Sequence, residues 1–397
     1  MQTGGKESKK FPFFRNVLAL GLVSFFTDIS SEMVFSLLPT FILDLSGSSI
    51  TALGIIEGIA ENLSYSLRAF SGFISDKLRK RKLIVLIGYA LSNIVKPLFA
   101  AAQSISDVLI IRISDRVGKA IRTAPRDALL SDSASKKKQG IAFGIHRTLD
   151  QTGAIIGPLL ASIFLFFGFS TRMVFWFSFI PGLIALLILI HLVKEEFSGR
   201  TQNFRMLSNL KEILKGKFFP LLIIVGIFSL GAFNFSFILL NAKESGIADE
   251  LIPLIYLVIN LIHTLIAIPA GLLSDKVGQE KVLTFGYGIF FITCLLIFSL
   301  PKTYLCAFIV AASFGLYAGI IETTQRALIP KYAERSDLRG TAYGLYYLMV
   351  GAALLVANMI VGLIWQQSGS SIAMIYSMIV VMVAMLGMAG FILRSQK

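Results

Sequence analysis

The sequence predicts an all-α membrane protein with twelve transmembrane helices in two pseudo-symmetric six-helix bundles. The first reason is composition: of 397 residues, 55% are apolar and only 15% are charged, and the mean hydropathy is +0.76. A soluble domain of this length carries more charge than that. The second reason is an internal repeat that divides the chain into two similar halves. Because backbone polar groups in lipid must be bonded within the chain, the membrane-crossing elements are expected to be helices.

Twelve apolar segments of about 20 residues or more follow one another, each long enough to cross about 30 Å of hydrocarbon as a helix. They lie at 17–43, 51–75, 83–102, 107–130, 140–168, 173–193, 218–241, 251–274, 282–300, 304–328, 340–365 and 372–393. The first segment contains Asp28 and Glu32 and exceeds the apolar core of a signal peptide, so no cleavable leader is expected. The two cysteines, Cys294 and Cys306, have no metal-ligand spacing, and no cofactor or metal is expected.

An internal repeat divides the chain into two similar halves. Gly72–Lys77 reads Gly-Phe-Ile-Ser-Asp-Lys, and Gly271–Lys276, 199 positions later, reads Gly-Leu-Leu-Ser-Asp-Lys. Three more residues return 200 positions later: Arg126 as Arg326, Gly140 as Gly340, and Gly144 as Gly344. Since the repeat covers half the chain, it indicates two lobes rather than a solenoid. The predicted organisation is a bundle over 1–193, a linker over 194–217 and a second bundle over 218–397.

The basic residues are concentrated on one side of the predicted segments. Counted over alternate connections and the termini, that side holds 25 Lys and Arg residues, and the other holds only Arg172, Lys243 and Lys302. This bias predicts a multi-pass protein of the cytoplasmic (inner) membrane with both termini and the linker in the cytoplasm. Topology therefore accounts for the net charge of +14, and no nucleic-acid partner is expected.

Two motifs resemble those of a known transporter family. Gly72, Asp76, Lys77 and Arg81 resemble the loop motif between helices 2 and 3 of the major facilitator superfamily, although Arg79 stands where the family often has glycine. In the fifth segment, Gly153, Gly157 and Pro158 resemble the family's antiporter motif, whose trailing glycines are replaced here by Leu160 and Ala161. Arg112 resembles the family's helix-4 arginine. The resemblance covers the whole chain and implies a secondary transporter.

Gating roles are predicted for the residues of these motifs and for an ion pair in the tenth segment. A gate needs contacts that form in one state and break in another. The candidates are Gly72, Asp76, Lys77, Arg81, Asp275, Gly153, Gly157, Pro158, Glu322 and Arg326, the last two paired one turn apart. Two simpler alternatives remain: a basic loop that only sets topology, and glycines that only permit close helix packing.

A stripe of basic residues marks the fourth segment. Arg112, Arg116, Lys119, Arg122 and Arg126 are spaced by 4, 3, 3 and 4 residues and share one helix face. Such a stripe cannot face lipid, so it lines a wet cavity or pairs with acids. Arg112, Arg116 and Lys119 are predicted to bind substrate. Arg122 and Arg126 either take part in gating or anchor lipid headgroups.

The acidic residues in the segments are candidates for proton coupling. Asp28 and Glu32 lie one turn apart in the middle of the first segment, where one of two neighbouring carboxyl groups can hold a proton. Asp150 is a third candidate, and it is expected to pair with Lys119 or Arg116. Glu57 is expected at a wet rim instead. The alternative is that each acid is permanently paired with a basic residue.

The second half is much more apolar, and its aromatic and amide residues suit an amphipathic substrate. Asn234 and Tyr346 are predicted to contact it, with packing as the alternative reading of each. The sequence shows no Gly-rich phosphate loop followed by Lys and Ser or Thr, and no nucleophile–base arrangement, so neither ATP drive nor an enzyme is expected.

The predicted function is that of a monomeric, proton-coupled secondary transporter exporting a small organic solute, anionic or amphipathic, by alternating access. Its partners would be this solute, protons and the bilayer. Two alternatives stay open: a proton-coupled importer of an organic anion on the same fold, and a non-transporting membrane sensor or assembly protein.

Overall fold

The structure, a computed structural model, describes residues 10–78, 81–133, 139–195, 216–332 and 339–395. In these ranges all regular secondary structure is helical. The predicted all-α membrane fold is therefore confirmed.

The described residues of the first half form eight α-helices. They are α1 (Lys10–Phe35), α2 (Leu38–Asp44), α3 (Ile50–Leu78), α4 (Arg81–Val95), α5 (Ile105–Asp132), α6 (Gln139–Phe166), α7 (Thr171–Phe177) and α8 (Phe179–Leu192). A 3-10 helix, Lys96–Ala101, continues α4. We refer to α1–α8 as the N-terminal lobe. Helix α5 begins with a capping box, in which Ser104 and Asp107 each bind the other's backbone N–H, so the start of the cationic helix is well defined.

The second half forms six helices, which we call the C-terminal lobe. They are α9 (Phe218–Gly231), α10 (Ser236–Glu244), α11 (Ile252–Val277), α12 (Gln279–Ser299), α13 (Tyr304–Tyr332) and α14 (Arg339–Ser395). Gly369 has φ of 84°, a conformation that glycine adopts without steric cost. It divides α14 into two arms, and each of the twelve predicted segments overlaps a described helix or arm.

Nine stretches of the described residues are long and apolar enough to cross a membrane, the last of them containing both arms of α14. Helices α3 and α5 do not meet this criterion, although each is nearly 30 residues long. They carry many of the ionisable residues of the N-terminal lobe. Their polarity indicates helices that are shielded from lipid by the rest of the bundle.

Within the N-terminal lobe, α1 packs along α6 and α8, and α5 packs along α3 and α4. In the C-terminal lobe, α11 packs along α13 and α9 packs along α14. The lobes meet mainly through two helix pairs, α3 with α14 and α6 with α11, and the short helices α2 and α10 form a smaller contact.

The contact between α1 and α6 is made at glycines. A methyl group at Gly153 would overlap the Phe25 carbonyl oxygen, and one at Gly157 would lie 2.9 Å from the Ile29 carbonyl oxygen. The predicted close helix packing at Gly153 and Gly157 is thus confirmed, and the neighbour is α1. Their gating role remains a prediction, as does that of Pro158, which is buried inside α6.

The two lobes have different cores. The C-terminal lobe contains one large apolar cluster that extends from Phe218 to Phe391. The N-terminal lobe contains two smaller clusters, one around Phe99 and Phe175 and one around Leu20 and Leu189. Buried polar and charged side chains of α3, α4 and α5 lie in the N-terminal lobe and interrupt its apolar core. Among its described residues, the C-terminal lobe has one further small cluster, Ala270, Val282 and Ile320, beside its large one.

Candidate functional site

A cavity of about 560 Å³ lies between the lobes. One wall of the cavity follows α5 from Lys119 to Asp127. It therefore extends from the middle of α5 toward its C-terminal end, which lies at the end of the bundle where the central linker begins. A volume of this size is typical of sites for small molecules.

At the opposite end, direct contacts close the space between the lobes. Lys243 lies 3.1 Å from Asp44, and the Ile50 N–H donates to Gln366 Oε1 at 2.7 Å. Helices α3 and α14 also touch at glycines, since a methyl group at Gly54 would overlap the Asn358 carbonyl oxygen. The end of the bundle at which these contacts lie is called the far end, and the opposite end, toward which the cavity extends, is called the linker end.

The two walls of the cavity differ in chemistry. Apart from its tyrosines, the N-terminal wall carries nine ionisable side chains: Asp28, Glu32, Glu61, Lys119, Arg122, Arg126, Asp127, Arg147 and Asp150. The C-terminal wall consists mainly of aromatic and amide side chains: Phe233, Asn234, Phe235, Asn260, Phe314, Tyr317, Tyr346, Tyr347 and Asn358. Apart from tyrosine, its ionisable side chains are His263 and Glu322. A solute in this space meets a charged face and an aromatic face at once.

Two acids meet where α1 packs on α6. The carboxyl groups of Asp28 and Asp150 are close neighbours. Two neighbouring carboxylates repel each other unless one of them holds a proton. Lys119 is an electrostatic neighbour of Asp28 and Glu32. Glu32 Oε2 is buried without a hydrogen-bond partner among the described residues.

The predicted ion pair of Asp150 with Lys119 or Arg116 is wrong in this conformer. Among the described residues, Asp150 forms its ion pair with Arg147, 3.2 Å away on its own helix. The prediction assumed that successive segments are neighbours, whereas α6 packs along α1 and makes little contact with α5. Asp150 therefore faces Asp28.

Arg147 connects the two lobes. Besides its bond to Asp150, its guanidinium lies 3.8 Å from Glu322 on α13. Glu322 in turn lies 2.9 Å from His263 Nε2 on α11. The predicted partner of Glu322 was Arg326, whose side chain lies outside the part of the structure that is described. Nearby, the Thr264 hydroxyl and the Gln151 amide are 2.7 Å apart and add a second inter-lobe contact.

Arg112 and Arg116, predicted to bind substrate, do not line the cavity. Arg112 is fully buried and donates to both carboxylate oxygens of Glu57, at 3.1 and 2.8 Å. Both guanidinium groups also lie over the ring of Phe35, at 4.0 and 5.1 Å from its centroid. Both arginines lie toward the far end of α5, where the lobes are closed, and their role in binding substrate stays a prediction. Glu57 is likewise buried rather than at a wet rim, being 1% exposed.

The other predicted contact residues, Lys119, Asn234 and Tyr346, do line the cavity. The Asn234 amide donates to Glu61 across the lobes at 3.1 Å, and the Tyr346 hydroxyl donates to Gln325 at 2.5 Å. Their roles in binding a solute remain predictions.

The predicted gating motif lies at the linker end. Gly72, Asp76 and Lys77 belong to the last turns of α3, but their side chains lie outside the described residues. Arg81 forms an ion pair with Asp132, and its N–H donates to Glu195 at 2.7 Å. The second-copy residue Asp275 is exposed at the end of α11. These positions leave the gating predictions untested.

One relationship in this region was missed at the level of sequence. Arg81 and Asp132 correspond, 199 positions later, to Glu280 and Lys331, which also form an ion pair, at 2.6 Å. In each lobe, an ion pair thus joins the start of the third crossing helix, α4 or α12, to the end of the fourth, α5 or α13. The basic and acidic positions of the pair are exchanged between the lobes. The repeat offset would have identified this pair.

Sequence reasoning also passed over His263 and Gln151 and left the role of Arg122 open. All three line the cavity. The described residues contain no group of three or more His, Cys, Asp or Glu side chains arranged to hold a metal ion.

Comparison with known proteins agrees with this architecture. The sequence profile of the Major Facilitator Superfamily matches residues 20–242 and 221–397. An uncharacterized MFS-type transporter of Methanocaldococcus jannaschii is 35% identical over 364 residues, covering 89% of each chain. Multidrug resistance protein 2 of Bacillus subtilis is 25% identical over 264 residues, covering 63% of this chain and 64% of that protein. The crystal structure of the nucleoside transporter NupG matches with a TM-score of 0.76 at 14% identity, covering 96% of this chain and 99% of that one.

The family match, together with the fold, defines a multi-pass membrane transporter. The chain belongs to the major facilitator superfamily.

Proposed function

We propose that the protein is a proton-coupled exporter of small amphipathic organic solutes that carry an anionic group. The observation that carries this proposal is the close approach of the Asp28 and Asp150 carboxyl groups in the inter-lobe cavity, where Arg147 connects Asp150 to Glu322 of the other lobe. The lobes, 1–193 and 218–397, would rock as units about this site.

The acid pair supplies a proton site whose charge affects the contact between the lobes. With one proton shared, the pair carries a single negative charge. When that proton leaves, two negative charges lie side by side, and the nearest cation, Arg147, is drawn toward Asp150. Its 3.8 Å contact with Glu322 is then weakened. Loss of the proton thereby loosens an inter-lobe contact, which is the coupling that alternating access requires.

The solute class follows from the two walls. Cationic side chains on the N-terminal wall, Lys119 and Arg122 among them, suit an anionic group. The aromatic C-terminal wall suits an apolar body. An amphipathic anion satisfies both walls together, whereas a sugar would leave the aromatic wall without an apolar partner.

The direction rests on topology. Contacts between the lobes close the far end, and the cavity extends toward the linker end. The 25-to-3 distribution of basic residues favours placing the linker end and both termini in the cytoplasm of a cell with a cytoplasmic membrane. A solute would then enter from the cytoplasm. The partial antiporter motif at Gly153, Gly157 and Pro158, and the relationship to a multidrug resistance protein, favour exchange with protons. One chain contains both walls, so a monomer suffices.

The test is proton movement in proteoliposomes. We expect addition of an aromatic carboxylate such as 2-naphthoate to cause a pH change that depends on the protein and that reverses with the solute gradient. Asp28→Asn and Asp150→Asn should each abolish the pH change, whereas Asp249→Asn, an exposed acid at the far end, should not. Solute uptake that follows an inward proton gradient would identify an importer. No flux of any tested solute would contradict the proposal and favour a non-transporting protein.

A further inference from the structure

We propose that Arg122, seated on the ring of Tyr89, is the anion subsite of the cavity and binds the carboxylate, sulfonate or phosphate group of the solute. This inference deepens the proposed function and rests on it. It moves the anion contact from Arg112 and Arg116, where the sequence placed it, to a residue nearer the linker end of α5.

Arg122 is the cavity arginine whose hydrogen-bonding capacity is left unused. It lines the cavity, is only 4% exposed, and its Nη1 has no hydrogen-bond partner among the described residues. A buried guanidinium nitrogen without an acceptor is unfavourable, and such groups are rare unless a ligand or water satisfies them. The unmet donor therefore indicates a place for an acceptor.

The neighbouring cations are already engaged. Arg126 donates twice to Asp127, at 3.0 and 2.8 Å, and Arg147 bonds Asp150. An incoming anion would have to displace an internal carboxylate from either of these. At Arg122 it meets no such competitor within ion-pairing distance among the described residues, so binding there has the lower cost.

The surroundings of Arg122 hold the guanidinium in a fixed position. Its central carbon lies 4.3 Å from the centroid of the Tyr89 ring, a favourable cation–π geometry. The Tyr89 hydroxyl is 3.1 Å from Ser24 Oγ, which is 2.8 Å from His146 Nε2. A methyl group at Gly88 would lie 2.7 Å from Arg122 Cβ, so α4 also confines the start of the side chain. Such preorganisation lowers the cost of binding.

Across the cavity, Tyr346, Tyr347 and Phe233 offer an aromatic surface to the rest of the solute. The subsite therefore selects a solute with one anionic group and an apolar body. A guanidinium presents two parallel donors to such a group, which a lysine ammonium cannot do.

The experiment compares two probes of equal shape, 2-naphthoate and the uncharged 2-naphthylmethanol. Equilibrium binding is measured on the full chain in lipid nanodiscs, with empty discs subtracted. We expect the protein to prefer naphthoate by at least about tenfold. Arg122→Gln should weaken naphthoate binding by about 10–100-fold, the range for a lost charge-assisted hydrogen bond, and change alcohol binding by less than about twofold. Arg122→Lys should retain part of the preference.

Arg15→Gln, which removes an exposed positive charge outside the cavity, is the matched control and should leave both affinities unchanged. Thermal unfolding of each variant shows whether it is folded, and Arg122→Lys tests the inference if Arg122→Gln is unstable. The inference is overturned if the unaltered protein does not prefer naphthoate, or if Arg122→Gln and Arg122→Lys both keep its full preference. Because this assay measures binding alone, failed proton coupling in proteoliposomes would reject the proposed function without touching the subsite.

Discussion

The two lobes share a helix pattern but bury different chemistry. In the N-terminal lobe, Lys96, Arg112, Glu57 and Asp115 are at most 2% exposed. In the C-terminal lobe, the corresponding interior is aromatic, with Phe228 stacked on Tyr287 at 3.8 Å and packed edge-on against Phe290. Buried charge is costly unless paired and is retained where function requires it. Under the proposed function, the N-terminal lobe is the one that responds to protons and anions, and the C-terminal lobe supplies the aromatic wall.

The buried ion pair of Arg112 and Glu57 should reveal this contrast most strongly. Arg112→Met leaves the Glu57 carboxylate buried without its cation, and we expect unfolding in detergent to require about 3–5 kcal/mol less. The double variant Arg112→Met/Glu57→Met should recover most of that loss. In the other lobe, Thr293→Val removes the buried hydroxyl that contacts Ser313, 2.8 Å away, and should cost only about 1 kcal/mol. Equal losses of stability in Arg112→Met and Thr293→Val would contradict this difference between the two lobes.

The glycine contact at the far end should separate the movement of the lobes from their internal stability. In Gly54→Ala the new methyl group would overlap the Asn358 carbonyl oxygen, which should disfavour far-end closure by about 1–3 kcal/mol. Spin labels at Ser46 and Ala248 should then report longer inter-lobe distances. Gly390→Ala, at a helical glycine with open space around it, is the control. An unchanged distance distribution in Gly54→Ala would show that this contact does not hold the lobes together.

Arg147 should affect coupling far more than stability. Its side chain is 53% exposed, so Arg147→Gln should lower the free energy of unfolding by less than about 1 kcal/mol. The pH change caused by the solute should nevertheless be lost, because the link between Asp150 and Glu322 is removed. Arg394→Gln, an exposed charge at the end of α14, is the control. Normal coupling in Arg147→Gln would exclude this residue as the connection between the lobes.

The smallest effect is expected at the two ion pairs of opposite polarity at the linker end. Arg81→Glu and Asp132→Lys should each destabilise the protein slightly, and together should restore it, because the exchanged charges reproduce the arrangement of Glu280 and Lys331. The coupling energy from a double-mutant cycle should be about 0.2–1 kcal/mol, as for other partly exposed pairs. A coupling energy of zero would show that the repeated pair does not contribute to stability.

The sequence was sufficient for the fold, because segment length and the repeat do not depend on how helices pack. It also identified Asp28, Lys119 and Asn234 as cavity residues from charge or polarity alone. It failed for Asp150, since the partner of a side chain depends on which helices are neighbours, and α6 lies against α1. Arg112 and Arg116 share a helix face with Lys119 but lie outside the cavity, because that face crosses both the closed end of the interface and the cavity wall. Whether a residue of this face lines the cavity depends on its depth along α5, and that depth follows from the packing of the whole bundle.

The central claim is that the ionic side chains of the N-terminal lobe surround a water-filled cavity while the opposite helix faces contact lipid. Cysteine labelling in native membranes tests it directly, in a background of Cys294→Ser and Cys306→Ser. Thr123→Cys places a thiol on the cavity wall, and Ile268→Cys places one on the exposed outer face of α11, where Ile268 is 74% exposed. We expect a membrane-impermeant, water-soluble thiol reagent applied from the linker end to modify the cysteine at 123 and to spare that at 268. Labelling at 268 with protection at 123 would contradict the account.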